Sequence, residues 1–336
     1  MQILMISDVY FPRVNGVSTS IHTFREDLLA LGVRCALVAP RYPQSPVVPD
    51  RDVVRVRSRG VPRDPEDRAM VWRELLERAQ RLAHELRPDV VHIQTPFLAH
   101  YAGVRIARAL AAPLVETYHT YFEHYLHYYV PLVPSSWIRG IARRFTRSQC
   151  AQVDVVISPS KPMAAALRDY GVRTRLEVLP TGLDAGRFAP GDRARFRAAH
   201  GIAAARPVML FVGRVAFEKN IDFLLDVLPA VRAQIPDVLL AIAGEGPACG
   251  HLKRRVAAEG LERNVMFIGY LKRDDELLDC YRAADIFVFA SRTETQGLVL
   301  LEAMAQGTPV VSTAVMGTAD VLEGTKGAVI VPEKRA

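Results

Sequence analysis

Short apolar runs alternate along the chain with longer stretches in which apolar residues recur at helical spacing. The first runs fall at residues 2–7, 34–39, 53–57, 89–94, 113–118, 154–158 and 175–179. Helical patterns lie between most of them, as at 19–30 and 66–86. A second series restarts at 207–212 and continues through 238–243, 264–268, 285–290, 309–312 and 328–331. Many runs are apolar throughout, as expected of parallel strands buried on both faces. Strand and helix alternating over such lengths predict doubly wound parallel sheets. Two series predict two Rossmann-like α/β domains, 1–185 and 186–336, joined within the Gly-, Pro- and Asp-rich PTGLDAGRFAPGD. The halves share a pattern but no sequence repeat. Ligands of such sheets bind beyond the carboxyl ends of the strands, and with two domains the expected site is the cleft between them.

Composition changes this picture little. The chain has 336 residues, 50% hydrophobic and 24% charged, which suits a globular chain of two domains. Its four cysteines are scattered without metal-ligand spacing, so reduced thiols and a cytoplasmic setting are expected. MQILMISDVYFPR reads as a first strand rather than a signal peptide, and no apolar run is long enough to span a bilayer. The net charge of +7 suits nucleic acid, an anionic membrane or phosphorylated ligands without choosing among them. No nucleic-acid-binding motif accompanies it, so no nucleic-acid partner is expected.

Four segments carry candidate chemistry. In SRTETQGLVLLEAMAQG, Glu294 follows an apolar run and Glu302 lies inside a predicted helix. A helix starting near Gln296 or Gly297 would offer unpaired N–H groups and a favourable dipole to an anion, and Gly297 would let a ligand approach the backbone. One carboxylate could accept from a sugar and the other from a ribose, with phosphates between; a surface Glu and a helix-stabilising Glu would look the same. Arg214 and Lys219, on the loop after the first strand of the second series, could hold a diphosphate. They could equally form a solvated basic loop, with Glu218 pairing Lys219. Asn15-Gly16 predicts a tight turn before a helix, a weak phosphate signal that is not GxGxxG. His119 directly follows a buried strand and is flanked by aromatics and hydroxyls.

Together these segments resemble glycosyltransferase family 4, of the GT-B fold, over nearly the whole chain. The most specific piece is the E-x7-E motif, Glu294 to Glu302 in TETQGLVLLEAMAQGTPVV; GRVAFEKN, LPTGLDAGRF and FPRVNGVSTSI are also similar to family segments. The resemblance implies that Glu294 contacts the donor sugar and Glu302 the nucleotide ribose. Thr295, Gln296, Gly297 and Leu298 would line the donor, Arg214 and Lys219 face the diphosphate, Gly16 backs the phosphates, and His119 lies against sugar and acceptor. It further implies retaining transfer of a hexose from a nucleoside diphosphate sugar. No metal or other cofactor is implied, because cations and helix N–H groups stabilise the leaving group. Attack would come from the same face, with the leaving phosphate assisting deprotonation, so neither Glu is assigned as a nucleophile.

The acceptor is addressed by TYFEHYLHYYVPLVPSSWIRGIARRFTRSQ, dense in Tyr and then in Arg. On a helical wheel from Trp137, residues Ile138, Ile141, Ala142 and Phe145 share one side, and Arg139, Arg143, Arg144 and Arg147 the other. Such a helix could lay its apolar side on a domain core or dock on an anionic membrane. YHTYFEHYLHYYVP resembles the diacylglycerol glucosyltransferase branch of the family, which adds Tyr121 to the acceptor residues. The expectation is therefore a peripheral enzyme on the inner face of the cytoplasmic membrane, transferring glucose from UDP-glucose to a lipid such as diacylglycerol. Mannosyl transfer in glycan assembly, or a nucleotide-sugar epimerase of the same fold, are the alternatives. Family members usually continue beyond Pro332–Ala336 with helices that cross back to the first domain, so the resemblance implies a shortened C-terminal domain and puts domain closure at issue.

Overall fold

The computed structural model describes residues 1–43, 52–61, 64–119, 135–183, 189–271 and 275–334. The chain divides into two compact units, Met1–Gly182 and Leu183–Ala336. The division falls slightly before the expected 185/186 boundary, for a visible reason. Thr181 is buried and its Oγ1 lies 2.7 Å from Ser20 Oγ, which ties the PTG turn to the first unit. Gly191 N–H donates to Gln306 Oε1 at 2.8 Å, and Gln306 Nε2 donates to Ala189 O, which ties the following segment to the second.

In the first unit the described strands of the main sheet are β1 Gln2–Ile6, β2 Arg34–Pro40, β3 Val53–Val56, β6 Val90–Ile93, β7 Leu114–Thr117, β8 Val155–Ser158 and β9 Arg175–Val178. They pair in parallel in the order β3-β2-β1-β6-β7-β8-β9. Each coincides with an expected run to within one residue at either end. One expectation fails. Residues 66–70, read as the start of a long helix, belong to strand β5 Asp64–Met70, which pairs antiparallel with β4 Ser58–Val61. The helix begins only at Trp72 and runs to Leu86. Met70 is buried, and the pairing with β4 overrides the helical propensity of Glu, Arg, Ala and Met.

The second unit holds β10 Val208–Val212, β11 Leu239–Ala243, β12 Val265–Gly269, β13 Ile286–Phe289, β14 Val310–Ser312 and β15 Ala328–Ile330. All pair in parallel, in the order β12-β11-β10-β13-β14-β15. β10 and β11 are buried at every position, which explains their unbroken apolar sequences VMLFV and LLAIA. Phe211, Phe287 and Phe289 stack at the centre of this core, with ring centroids 5.6 and 5.9 Å apart. Each such buried ring contributes about 2–3 kcal/mol.

Candidate active site

In each sheet the strand order reverses its sequence direction once, between β1 and β6 in the first unit and between β10 and β13 in the second. The chain leaves such neighbouring strands in opposite directions, so a crevice opens beyond their carboxyl ends.

In the second unit that position receives the loops after β10 and β13. Gly213 N–H donates to Ala243 O at 3.0 Å, and Val215 N–H donates to Glu245 O at 2.9 Å, which prolongs the sheet ladder past the strands. A Cβ on Gly244 would stand 2.0 Å from Gly213 O, so only glycine permits this contact. Arg214 then projects with Nη1 3.6 Å from Glu218, a buried carboxylate. Phe217–Lys219 form a 3-10 turn ended by Asn220 in the left-handed region, φ 55°. Lys219 Nζ donates to Glu294 Oε1, and Asn220 Nδ2 donates to Ala290 O at 3.2 Å. The two loops are thus joined by an ion pair and a hydrogen bond where the strand order reverses. Glu218 pairs with Arg214, not with Lys219 as the sequence suggested; Lys219 pairs across the crevice.

Gly297, at φ 89°, precedes the helix Leu298–Ala305, which starts a residue or two later than expected. Thr295 and Gln296 lie between Glu294 and this helix start, with Gln296 buried. A buttress supports them: Gly317 N–H donates to Glu294 O at 2.9 Å, and a Cβ on Gly317 would stand 2.2 Å from Thr295 O. The buttress includes Met316 at φ 58° and ψ −132°, a conformation that L residues avoid and that favours glycine. Glu302 sits one turn into the helix, only 3% exposed, and its Oε2 accepts from Tyr281 Oη at 2.7 Å. Among the described residues no group of three His, Cys, Asp or Glu side chains is arranged to hold a metal ion.

In the first unit, Asp8 follows β1 and Gln94 and Thr95 follow β6. Thr95 Oγ1 donates to Asp8 Oδ2 at 2.8 Å, and Ala99 N–H, at the start of the helix Leu98–Leu110, donates to the same oxygen at 3.1 Å. Burial nevertheless pushes the Asp8 carboxyl up to about 6. His119 Nε2–H donates to Gln94 Oε1 at 3.1 Å, and His92 lies 2.7 Å from Thr117 Oγ1 through its Nε2. Burial, and then the neighbouring His92, hold the His119 imidazole down to about 3, so it is neutral at physiological pH. Gly16 is exposed as the first residue of the helix Gly16–Ala30, whose start is capped by Asn15 Oδ1 accepting from Ser18 N–H at 2.8 Å.

The predicted helix around Trp137–Arg147 is Ser135–Cys150. Ala142, Thr146 and Gln149 are buried and Phe145 is half-buried, whereas Arg139, Arg143, Arg144 and Arg147 are exposed. Arg143 lies over the Tyr170 ring, 5.0 Å from its centroid. The expected single apolar side is divided. Ala142 and Phe145 turn inward, but Trp137 and Ile141 are 71% and 62% exposed. Tyr121 lies outside the described residues.

Sequence reasoning missed Asp8, Gln94, Glu218's true partner, Tyr281 and the Gly244-Glu-Gly-Pro247 turn. The last had a signal, two glycines and a proline directly after an apolar strand. Asp8, Gln94 and Tyr281 are single residues whose partners lie 87, 25 and 21 positions away, and Glu218 bonds Arg214 rather than its neighbour Lys219.

Two family models match this chain: Glycosyltransferase Family 4 over residues 14–187 and Glycosyl transferases group 1 over residues 192–336. The chain is 32% identical over 326 residues to the alpha-monoglucosyldiacylglycerol synthase of Streptococcus pneumoniae, covering 93% of this chain and 71% of that one. It is 28% identical over 338 residues to the GDP-mannose-dependent alpha-mannosyltransferase of Mycobacterium tuberculosis, covering 99% and 84%. Among solved structures, HepE of Anabaena in complex with UDP and glucose matches with a TM-score of 0.77 at 19% identity, over 99% of this chain and 86% of that one. The chain belongs to glycosyltransferase family 4, has the GT-B fold and is a hexosyltransferase.

Proposed function

We propose that this chain transfers glucose from UDP-glucose, with retention of configuration, to the free hydroxyl of diacylglycerol in a membrane. The observation that carries the donor half is the Lys219–Glu294 ion pair, which joins the loops of β10 and β13 where the sheet reverses. In this reading an arriving diphosphate takes over Lys219 and Arg214, and Glu294 is released to accept from the sugar hydroxyls. Thr295 to Leu298 present backbone and helix N-terminus to the donor. Glu302 accepts from the ribose, and Gly16 backs the phosphates. In the same reading His119, neutral and anchored on Gln94, contacts sugar and acceptor; residues 1–185 form the acceptor-binding domain and 186–336 the donor-binding domain. The glycosidic C1–O bond to the diphosphate breaks, C1 bonds to the acceptor oxygen on the same face, and the acceptor proton passes to the leaving phosphate. No metal takes part, since the cations and N–H groups serve the leaving group.

The lipid acceptor is supported by the similarity to a monoglucosyldiacylglycerol synthase over 93% of the chain. The exposed arginines and Trp137 of Ser135–Cys150 also support it, as a surface for peripheral attachment to an anionic membrane. Among the described residues no helix is long and apolar enough to cross a membrane. A second reading, mannosyl transfer from GDP-mannose, is favoured by the relative that matches over 99% of the chain. The test is a set of reactions pairing UDP-glucose, UDP-galactose or GDP-mannose with diacylglycerol vesicles, read by mass spectrometry. The expected product is a monoglucosyl lipid made without added metal. A mannosyl product, or none on lipid while a soluble glycan is extended, would replace the proposal.

A further inference from the structure

The second carboxylate of the E-x7-E motif does not stand alone. Tyr281 lies on the helix Asp275–Ala283 and is fully buried, and its hydroxyl donates to Glu302 Oε2 at 2.7 Å. The tyrosine is itself held at two further points. Its ring packs against Phe287 of β13, centroids 5.8 Å apart, and its carbonyl accepts from Thr308 Oγ1 at 2.7 Å. Next to it, Arg282 Nη1 donates to Gln306 O at 2.8 Å. The helix carrying Glu302 and the helix carrying Tyr281 are therefore fastened together at the turn 306–308 and again at the hydroxyl–carboxylate bond. A buried carboxylate needs donors, and a short O–H···O⁻ bond is among the stronger ones. Here the donor is a rigid ring with two rotatable bonds, so the bond fixes direction as well as charge.

We infer that Tyr281 is a positioning residue for the nucleotide: its hydroxyl, bonded to Glu302 Oε2, sets the carboxylate in the rotamer in which it receives the donor's vicinal diol. This rests on the proposed ribose role of Glu302 and adds a residue to it. A carboxylate left to rotate would still be present, but it would lose part of its binding to ordering on each encounter. Tyr281 acts through Glu302 and touches neither the sugar nor the reacting carbon. The chemical step at saturating donor should therefore be indifferent to it.

The test uses Tyr281→Phe, Glu302→Gln and the double variant of the full chain, with UDP as probe in calorimetry and thermal melts alongside. Tyr281→Phe is expected to weaken UDP about tenfold and to raise KM for the donor by a similar factor, with kcat within about twofold of the parent. Glu302→Gln should weaken UDP at least as much, and the double variant should bind no worse than Glu302→Gln alone. Parent-like UDP affinity in Tyr281→Phe, with Glu302→Gln impaired, overturns the inference and leaves the ribose role standing. So does a double variant weaker than Glu302→Gln by the whole Tyr281→Phe factor, because the hydroxyl would then act independently. Parent-like affinity in Glu302→Gln ends the ribose role and the inference together. Should Tyr281→Phe fail to fold, Glu302→Asp serves in its place. It keeps the charge but withdraws it from Tyr281, and UDP affinity equal to the parent's would overturn the inference.

Discussion

At the scale of single residues, charge compensation decides most of the site. Lys219 and Glu294 are each about one-fifth exposed and neutralise one another, so neither pays the full cost of a half-dry charge. Glu294→Gln keeps shape and a hydrogen-bonding group but removes the charge that would strengthen as the sugar becomes cationic. We expect it to lose about 2–4 kcal/mol of transition-state stabilisation, a fall of about thirty- to a thousand-fold in kcat/KM, with UDP affinity nearly kept. Turnover near the parent's would remove Glu294 from the donor site. The buried groups of the first unit give a pH dependence of known sign. His92 and His119 are neutral in the fold down to about pH 4 and about pH 3. The unfolded chain protonates both below about 6.5, so their contribution is complete above that pH and is lost as pH falls. Asp8 acts oppositely: its folded value of about 6, against an ordinary 3.8, adds stability as pH falls between the two. Two imidazoles outweigh one carboxyl, and the melting temperature should drop from pH 7 to pH 5, by at most about 1.4 kcal/mol of stability per pH unit. A flat or rising profile would contradict these environments, and His92→Asn should lessen the slope.

At the scale of elements, two glycines that each precede or open a helix differ in the room around them. Gly16 opens a helix, and a Cβ there would meet nothing within 4 Å. Gly297 sits at φ 89°, where a Cβ would approach Thr318 Cγ2 at 3.0 Å and Leu300 Cδ1 at 3.1 Å. Gly297→Ala should therefore lower stability by about 1–2 kcal/mol. Gly16→Ala should melt like the parent yet lose donor affinity if phosphate approaches that backbone. Parent-like KM for the donor in Gly16→Ala would leave the residue a simple helix start. The same level shows what the sequence can convey. Parallel strands such as VMLFV announce themselves because burial on both faces leaves no polar position. Right-handed crossovers then narrow the possible orders to a few, of which the chain adopts β12-β11-β10-β13-β14-β15. The hairpin β4–β5 is not legible in the sequence, because DPEDRAM is polar and helix-prone, and its pairing with β4, the Arg13–Asp67 ion pair and the burial of Met70 all lie outside the segment's own pattern. Glu294, Arg214 and Lys219 could be found from their place after apolar runs. Their pairing could not, since Glu218 is adjacent to Lys219 in sequence and yet bonds Arg214. Tyr281 was hidden for a similar reason: it sits on a different helix, twenty-one positions from the carboxylate it serves.

At the scale of the whole molecule, charge is unevenly divided. Met1–Gly182 carries 24 Lys and Arg against 17 Asp and Glu, the whole of the +7, while Leu183–Ala336 carries 19 of each. A basic first unit beside a neutral second one in sequence suits the proposed enzyme, whose second substrate would lie in an anionic surface. Within the basic unit, Ser135–Cys150 concentrates four exposed arginines beside an exposed Trp137 and Ile141, the combination in which arginines meet headgroups and apolar side chains enter the interface. Replacing Arg139, Arg143, Arg144 and Arg147 by Gln should weaken binding to anionic vesicles by up to about three orders of magnitude at low salt. Neutral vesicles should show a smaller loss, and raising the salt should reproduce the effect on the parent by screening. Activity on a short-chain soluble acceptor should persist, because the proposed donor residues Arg214, Lys219, Glu294 and Glu302 lie in Leu183–Ala336 and not on this helix. Arg143 stacks on Tyr170, so part of the effect could come through the fold, and the melt separates the two causes. A variant that melts early and loses both activities together assigns the arginines to stability. One that melts with the parent and still sediments with anionic vesicles as the parent does removes this helix from the membrane contact.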